Sequence, residues 1–570
     1  MRQWFPALGW IPDYGRGNWM KDLPAGLTVG VMLIPQGMAY AMIAGLPVVY
    51  GLYAALVPQV VYAVMGTSRQ LAVGPSAMDS LLVAAGLGTV AVAGSDRYIE
   101  LALLLALMTG GIQLLLGSFR LGFLAHFISK PVISGFTSAA ALIIGLNQLP
   151  HLTGIPLSRS SQLHLLIDGA VQGLSQIHGP TLLLGTLSIV LLVGLGKRLP
   201  RVPASLILVV LALAGGAVVP WSTWDIRTVG AIPAGLPGFH VPGWTLGDLR
   251  MLFPLASTLA LVAFMEAYSV AQAMAQKRGD HDIDANQELR ALGSANAIGS
   301  LFGAYPVTGG FSRTAVNERA GAVSGMSSLM AAGVVALALT FLTPVFRHLP
   351  TAVLGAIIAV AVAGLFDLAT FRRLWWTHRD EALLLLLTFC LTALGSMVLG
   401  IASGVVLGLT LTLFKTTRPH TAELGEIDGV YRNLNRFPEA TKAQGILIVR
   451  YDGPLNYASQ GHFKAFILSR LAIRKEEGDP IRTVVLSAES IPYLDATGTD
   501  MLTTLLDGLE AAEISLKVAG AIGPVRDVLE RAGLMERIGR NHFHTGIPAA
   551  LGIEEIRPQI ATQTFNPNNS

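Results

Sequence analysis

The feature that most restricts how this chain can fold is a series of apolar stretches long enough to cross a bilayer. They lie near residues 24–44, 97–117, 132–150, 179–196, 204–220, 251–275, 321–343, 350–366 and 381–398. A helix needs about 20 residues to span a hydrocarbon core of about 30 Å. Shorter or Gly/Pro-interrupted stretches lie near 48–65, 73–92, 286–303, 306–318 and 399–415, so the expectation is about 14 membrane elements. Composition agrees: 52% of the 570 residues are hydrophobic and 13% are charged, roughly half the charge of a soluble domain. These observations imply an α-helical polytopic membrane protein.

Charge reports topology. Arg69, then Arg120 and Lys130, Lys197/Arg198/Arg201, Lys277/Arg278, Arg313/Arg319, Arg372/Arg373/Arg379 and Lys415/Arg418 follow every second element. The intervening connections hold only isolated Arg97, Arg159, Arg227, Arg250 and Arg347. By the positive-inside rule both termini are expected in the cytoplasm, with residues 1–22 as a cytoplasmic segment and 23–418 as the transmembrane domain. Residues 1–22 lack the compact apolar core and cleavage site of a removable signal peptide. The net charge of +3 is spread over loops and argues against nucleic acid as a partner. The single cysteine, Cys390, lies in an apolar run, which excludes disulfide scaffolds and cysteine metal sites within the chain. No phosphate-binding loop or metal-ligand spacing is present, so no cofactor and no enzymatic activity are expected.

Two broken elements occupy matching places. GPSAM (Gly74–Met78) opens the third element and PVTGGFSRT (Pro306–Thr314) opens the tenth, seven elements later. An odd number of spans per half sends the second half in from the opposite side, the layout of an inverted repeat whose discontinuous helices meet near the bilayer midplane. Polar, helix-breaking sequence is tolerated there only where it lines a cavity or packs against protein. After Lys415 the character changes. Residues 421–555 carry β-rich runs at 445–451, 482–488 and 515–521, alternating with helix-like stretches near 458–475, 497–512 and 523–534. This pattern predicts a small soluble α/β domain. Residues 556–570 read as a disordered tail.

The motifs IPQGMAYA (34–41), PVVYGLYAALVP (47–58), ISKPVISGFTSAAA (128–141), MEAYSVAQAMA (265–275) and PVTGGFSRTAVN (306–317), in this order, resemble the SulP family of anion permeases. The C-terminal region resembles a STAS domain, the module shared with anti-sigma-factor antagonists. The resemblance covers nearly the whole chain. It implies a seven-plus-seven inverted repeat, a core domain moving against a gate domain, and usually a homodimer; the expected location of the chain is the cell membrane. In the STAS-like region the position phosphorylated in anti-sigma-factor antagonists is Ala496, so regulation by that phosphorylation is not expected; Asp495 reads as a helix cap, and the domain is expected to assist folding, dimer packing or regulation by a cytoplasmic partner.

A helix that begins inside the membrane leaves backbone N–H groups unpaired and carries partial positive charge at that end. The ends supplied by Ser76, Ala77 and Met78 and by Phe311, Ser312 and Arg313 are therefore expected to form an anion receptor. Ser76 and Ser312 add hydroxyls, and Arg313 adds a charge and a planar fork suited to an oxyanion. Gln36 and Tyr40, at i and i+4, share one helical face. They match positions that contact the anion in plant-type sulfate permeases, together with counterparts of Ser76, Ser312 and Arg313. Glu266 lies in the middle of LALVAFMEAYSVAQAMA (259–275), where an ionised side chain costs roughly 2.5–3.5 kcal/mol to insert. It is expected either to be protonated or to pair with Arg313, and so to couple protons to the anion. Proton-coupled sulfate uptake is the expected function. A bicarbonate or dicarboxylate symporter or exchanger is the alternative, followed by an anion channel and a STAS-linked sensor.

Overall fold

In lipid a helix satisfies its own backbone hydrogen bonds, which is why the apolar stretches fold as they do. The computed structural model describes residues 4–12, 14–123, 129–157, 160, 162–198, 204–218, 221–278, 283–395 and 397–553. The chain divides into two units, 1–409 and 410–570. The expected tail at 556–570, Arg159 and Arg201 lie outside the described residues.

After a single turn at Ala7–Trp10, the first unit runs through α1 (Arg16–Ile43), α2 (Val49–Ala54), α3 (Val57–Met65), the two-residue strand β1 (Val73–Gly74) and α4 (Ala77–Leu87). It continues through α5 (Asp96–Ser118), α6 (Lys130–Asn147), α7 (Gly179–Arg198) and α8 (Ala204–Val218). Then follow α9 (Leu246–Arg278), α10 (Ala285–Ser300), β2 (Thr308–Gly309), α11 (Phe311–Arg319), α12 (Met326–Leu337), α13 (Thr351–Ala363), α14 (Arg379–Leu394) and α15 (Met397–Thr417). Among the described residues, eight helices are long and apolar enough to cross a membrane.

Two expectations need correction. The helix that holds the apolar stretch 24–44 starts earlier, at Arg16, because Arg16, Lys21 and Asp22 depress hydropathy without breaking a helix. Asp22 is fully buried and accepts from the Val323 amide at 2.7 Å and the Ser324 hydroxyl at 2.6 Å. Short helices at Leu163–Gly173 and Leu368–Thr377 also appear; both are too short and too polar on one face to register as spans.

Packing relates the two halves reciprocally. The first element of each half packs against the fourth of the other, α1 on α12 and α9 on α5, while the second elements α3 and α10 pack on each other. The third elements join through the antiparallel pairing of β1 with β2, Val73 opposite Gly309 and Gly74 opposite Thr308. This exchange pattern is that of an inverted repeat. Without a hydrophobic driving force between helices in lipid, close contact requires small residues. Where α5 crosses α10, a Cβ at Gly110 would lie 2.6 Å from the Gly293 carbonyl oxygen, and one at Gly293 2.8 Å from that of Gly110. No side chain fits at either position.

The strand crossing is braced by buried amides. Asn296 donates to Gln113 and to the Val307 carbonyl, both at 3.1 Å, and accepts from the Val307 amide at 2.8 Å. Gln113 in turn donates to the Ala260 carbonyl at 3.1 Å. Replacing Asn296 by Leu orphans several of these groups at roughly 1–3 kcal/mol each. The N296L protein is expected to lose about 2–4 kcal/mol of stability on that scale, measured as a lower thermal unfolding midpoint in detergent.

In the second unit a six-stranded sheet has the order β4-β3-β5-β6-β7-β8, formed by β3 (His420–Ile427), β4 (Val430–Asn433), β5 (Ile446–Asp452), β6 (Thr483–Ser487), β7 (Ser515–Ala519) and β8 (Phe543–His544). Strand β3 pairs antiparallel with β4 and β5, and the rest of the sheet is parallel. Helices α16 (Gln460–Glu476), α17 (Ala496–Ala511) and α18 (Gly523–Arg531) connect the parallel strands, which cannot be joined by tight hairpins. Asp495 caps α17, accepting from the Gly498 amide at 2.7 Å. The hairpin β3–β4 was not among the expected runs, because HTAELGEI mixes charged and apolar residues. Its Glu423 points inward and meets the buried Arg474 at 3.0 Å; Arg474 also bonds Asp479 and the Ala443 carbonyl. Removing one member of such a buried pair typically costs 3–5 kcal/mol. Arg474→Ala is therefore expected to destabilise the C-terminal unit by about that amount, read from its unfolding transition in the full-length chain.

Candidate functional site

The two short strands bring two half-helix starts together. At α4 the Ser76 hydroxyl accepts from the Asp79 amide at 3.1 Å, leaving the Ala77 and Met78 amides as first-turn donors without a partner inside the helix. At α11 the N-cap is Gly310, which supplies no side-chain cap, so the amides of Phe311, Ser312 and Arg313 are in the same position. The crossing is locked by further bonds. The Gly310 amide donates to the Ala72 carbonyl at 3.2 Å, the Ala72 amide to Thr314 Oγ1 at 3.1 Å, and Asn317 to the Gln70 carbonyl at 2.9 Å.

Both starts face one cavity of about 750 Å³. Its lining includes Gln36 and Tyr40 from α1, Ser76, Ala77 and Met78 from the α4 start, Glu266 from α9, and Phe311, Ser312 and Arg313 from α11. The structure thus brings all nine residues singled out from sequence into one space. Glu266 and Arg313 are the only acid and base among the described lining residues. The opposite wall, from α6, α7, α8, α13 and α15, is apolar apart from Thr137 and Ser205; Phe136, Val360 and Ile401 are among its residues. Sequence reasoning missed this wall, because residues such as Phe136 look like any others on an apolar helix.

Arg313 is 2% exposed. Its Nη1 donates to the Pro75 carbonyl of the opposite half at 2.7 Å, while Nε and Nη2 have no partner. The guanidinium folds back over its own N-cap, where a Cβ at Gly310 would lie 2.7 Å from Arg313 Cζ. Glycine there makes room for the fold-back. Of the two expected states of Glu266, protonated or paired with Arg313, the paired one is not formed: the guanidinium is engaged by Pro75, and Glu266 Oε2 is buried without a partner. Gln36 Oε1 is likewise unpartnered. Unused polar atoms from three elements therefore converge on the space between two helix N-termini. A buried acid behind this cavity escaped the sequence reading: Asp79, in the first turn of α4, is fully buried with neither carboxyl oxygen bonded, and is not among the residues that line the cavity. The signal available was a lone acid one residue beyond GPSAM.

Paired half-helices facing a cavity between two helix sets define a membrane transporter rather than an enzyme. Comparison with known proteins agrees. The sulfate permease family model matches residues 19–388, and the STAS domain model matches residues 437–548. The chain is 37% identical over 566 residues to the chloroplastic sulfate transporter 4.1 of Arabidopsis thaliana, covering 96% of this chain and 82% of that one. It is 34% identical over 553 residues to a probable sulfate transporter of Mycobacterium tuberculosis, covering 96% and 97%. The solved structure of the murine Solute Carrier 26 family member A9 anion transporter superposes with a TM-score of 0.87 at 26% identity, covering 96% of this chain and 93% of that one. The protein belongs to the sulfate permease family: it is a multi-pass anion transporter with a C-terminal STAS domain.

Proposed function

We propose that the protein takes up sulfate together with protons by alternating access, holding the anion between the N-termini of α4 and α11. The observation that carries this reading is Arg313, buried between the two half-helix starts with its Nε and Nη2 unpaired. A dianion there would meet the first-turn amides of both helices, the Ser76 and Ser312 hydroxyls, Gln36, Tyr40 and the guanidinium fork. Each negative charge entering a cell against 100 mV costs about 2.3 kcal/mol, so uptake needs a compensating cation. Glu266 supplies the proton site. When ionised it draws Arg313 away from the anion; when protonated it leaves the guanidinium on Pro75 and the anion, so proton and sulfate binding favour each other. The split between a polar wall and an apolar wall supports a core that carries the anion past a gate. In keeping with the loop charges, both termini face the cytoplasm, in the cell membrane, and the working unit is a homodimer. Initial uptake of radiolabelled sulfate into proteoliposomes, with and without an inward proton gradient, tests this. Uptake should accelerate with the gradient; equal rates would overturn proton coupling, and no sulfate uptake would overturn the substrate.

A further inference from the structure

One buried carboxyl has no part in that scheme. Asp79 is the third residue of α4, fully buried, with neither oxygen bonded. The Ser76 hydroxyl accepts from the Asp79 amide, and its own proton is the one hydroxyl donor that acts on the Asp79 carboxyl. An ionised carboxylate without a donor is costly to bury, even in the first turn of a helix behind a serine cap, where acids are common.

Its charged surroundings come from the elements around it. Glu266 of α9 and Arg313 of α11 act on it electrostatically. Tyr305, before β2, also senses it and bonds Ser80 Oγ at 2.9 Å. From α1 the ionisable group in this region is Tyr40, which couples to Arg313 and Glu266; Arg16, Lys21 and Asp22 lie at the start of that helix. α5 and α6 also pack on α4, and their charges, Asp96, Arg97, Glu100 and Lys130, stand in the opening turns of those helices.

Charge balance makes this arrangement informative. Each helix N-terminus contributes roughly +0.5, so the two starts and Arg313 together present about +2. Two ionised carboxylates balance that field when the site is empty. A bound sulfate dianion balances it only when both carboxylates are neutral.

We propose that Asp79 is a second proton carrier, so that one sulfate enters with two protons; this rests on the proton-coupled reading above. On loading, the Glu266 and Asp79 carboxylates each take one proton as the dianion binds, and both protons leave with it on the other side. Two positive charges and two negative charges cross together, so the step is electroneutral.

The test is the steady-state sulfate accumulation ratio in proteoliposomes as a function of the imposed proton ratio. For wild type it should rise as the square, about a hundredfold per pH unit, and be insensitive to membrane potential. Asp79→Asn and Glu266→Gln should each fall to first order, about tenfold per pH unit, and become voltage-sensitive. The Glu266→Gln arm leaves Asp79 intact, so it decides the matter even where Asp79→Asn fails to fold. First-order wild type with a zero-order Glu266→Gln overturns the role of Asp79 and leaves the Glu266 scheme standing. A wild type with no proton dependence overturns both.

Discussion

The Arg313→Ala variant is expected to lose sulfate transport at low substrate by about two orders of magnitude. Truncating one member of a desolvated, hydrogen-bonded charge contact costs roughly 2–5 kcal/mol, and about 1.4 kcal/mol corresponds to tenfold. Arg313 is 2% exposed, and among the described residues its one side-chain hydrogen bond is to the Pro75 carbonyl. The loss should therefore fall mainly on the anion and only slightly on the strand crossing, which Thr314, Asn317 and Asn296 hold independently. Arg313→Lys should recover only part of the affinity, because an ammonium keeps the charge and loses the planar fork. The check is sulfate affinity of the purified variants alongside initial uptake rates. Wild-type affinity in Arg313→Ala would mean that the helix-end amides bind the anion unaided.

The second large effect is at Glu266. Replacing it by Gln preserves size and hydrogen-bonding capacity but fixes the group in a neutral form. The sign follows from the scheme: if protonation of Glu266 favours sulfate binding, wild-type uptake falls as pH rises, whereas the variant stays in the binding-competent form. Glu266→Gln is thus expected to bind sulfate at least as well as wild type at high pH, while the order of its proton dependence drops by one. An unchanged order, measured over the same proton gradients, would contradict a coupling role. The absence of an ion pair between Glu266 and Arg313 fits the binding-competent arrangement, in which the arginine is directed to Pro75 and the cavity.

The half-helix starts were legible in the sequence because GPSAM and PVTGGFSRT break apolar runs with residues that lipid excludes. Gln36 and Tyr40 were legible as polar groups one turn apart in the apolar second half of their helix. What escaped was whatever depends on partners remote in sequence. Asn296 and Gln113 look like isolated amides until the fold sets them together. Phe136, Val360 and Ile401 carry no mark that distinguishes a cavity wall from a lipid-facing surface. The hairpin β3–β4 was hidden because its inward Glu423 breaks the alternation of an amphipathic strand, and only the buried Arg474 explains it. Asp79 was passed over for a related reason: an acid in the first turn of a helix is commonplace, and its isolation becomes visible only with burial.

The central claim is the position of the anion, and selenate tests it most directly, because it shares the charge and shape of sulfate and its selenium scatters anomalously. Crystals of the full-length protein with selenate should show an anomalous peak between the Ala77 and Met78 amides and those of Phe311, Ser312 and Arg313, within hydrogen-bond reach of the guanidinium. A single well-occupied peak elsewhere, with none between these two helix ends, would contradict the account.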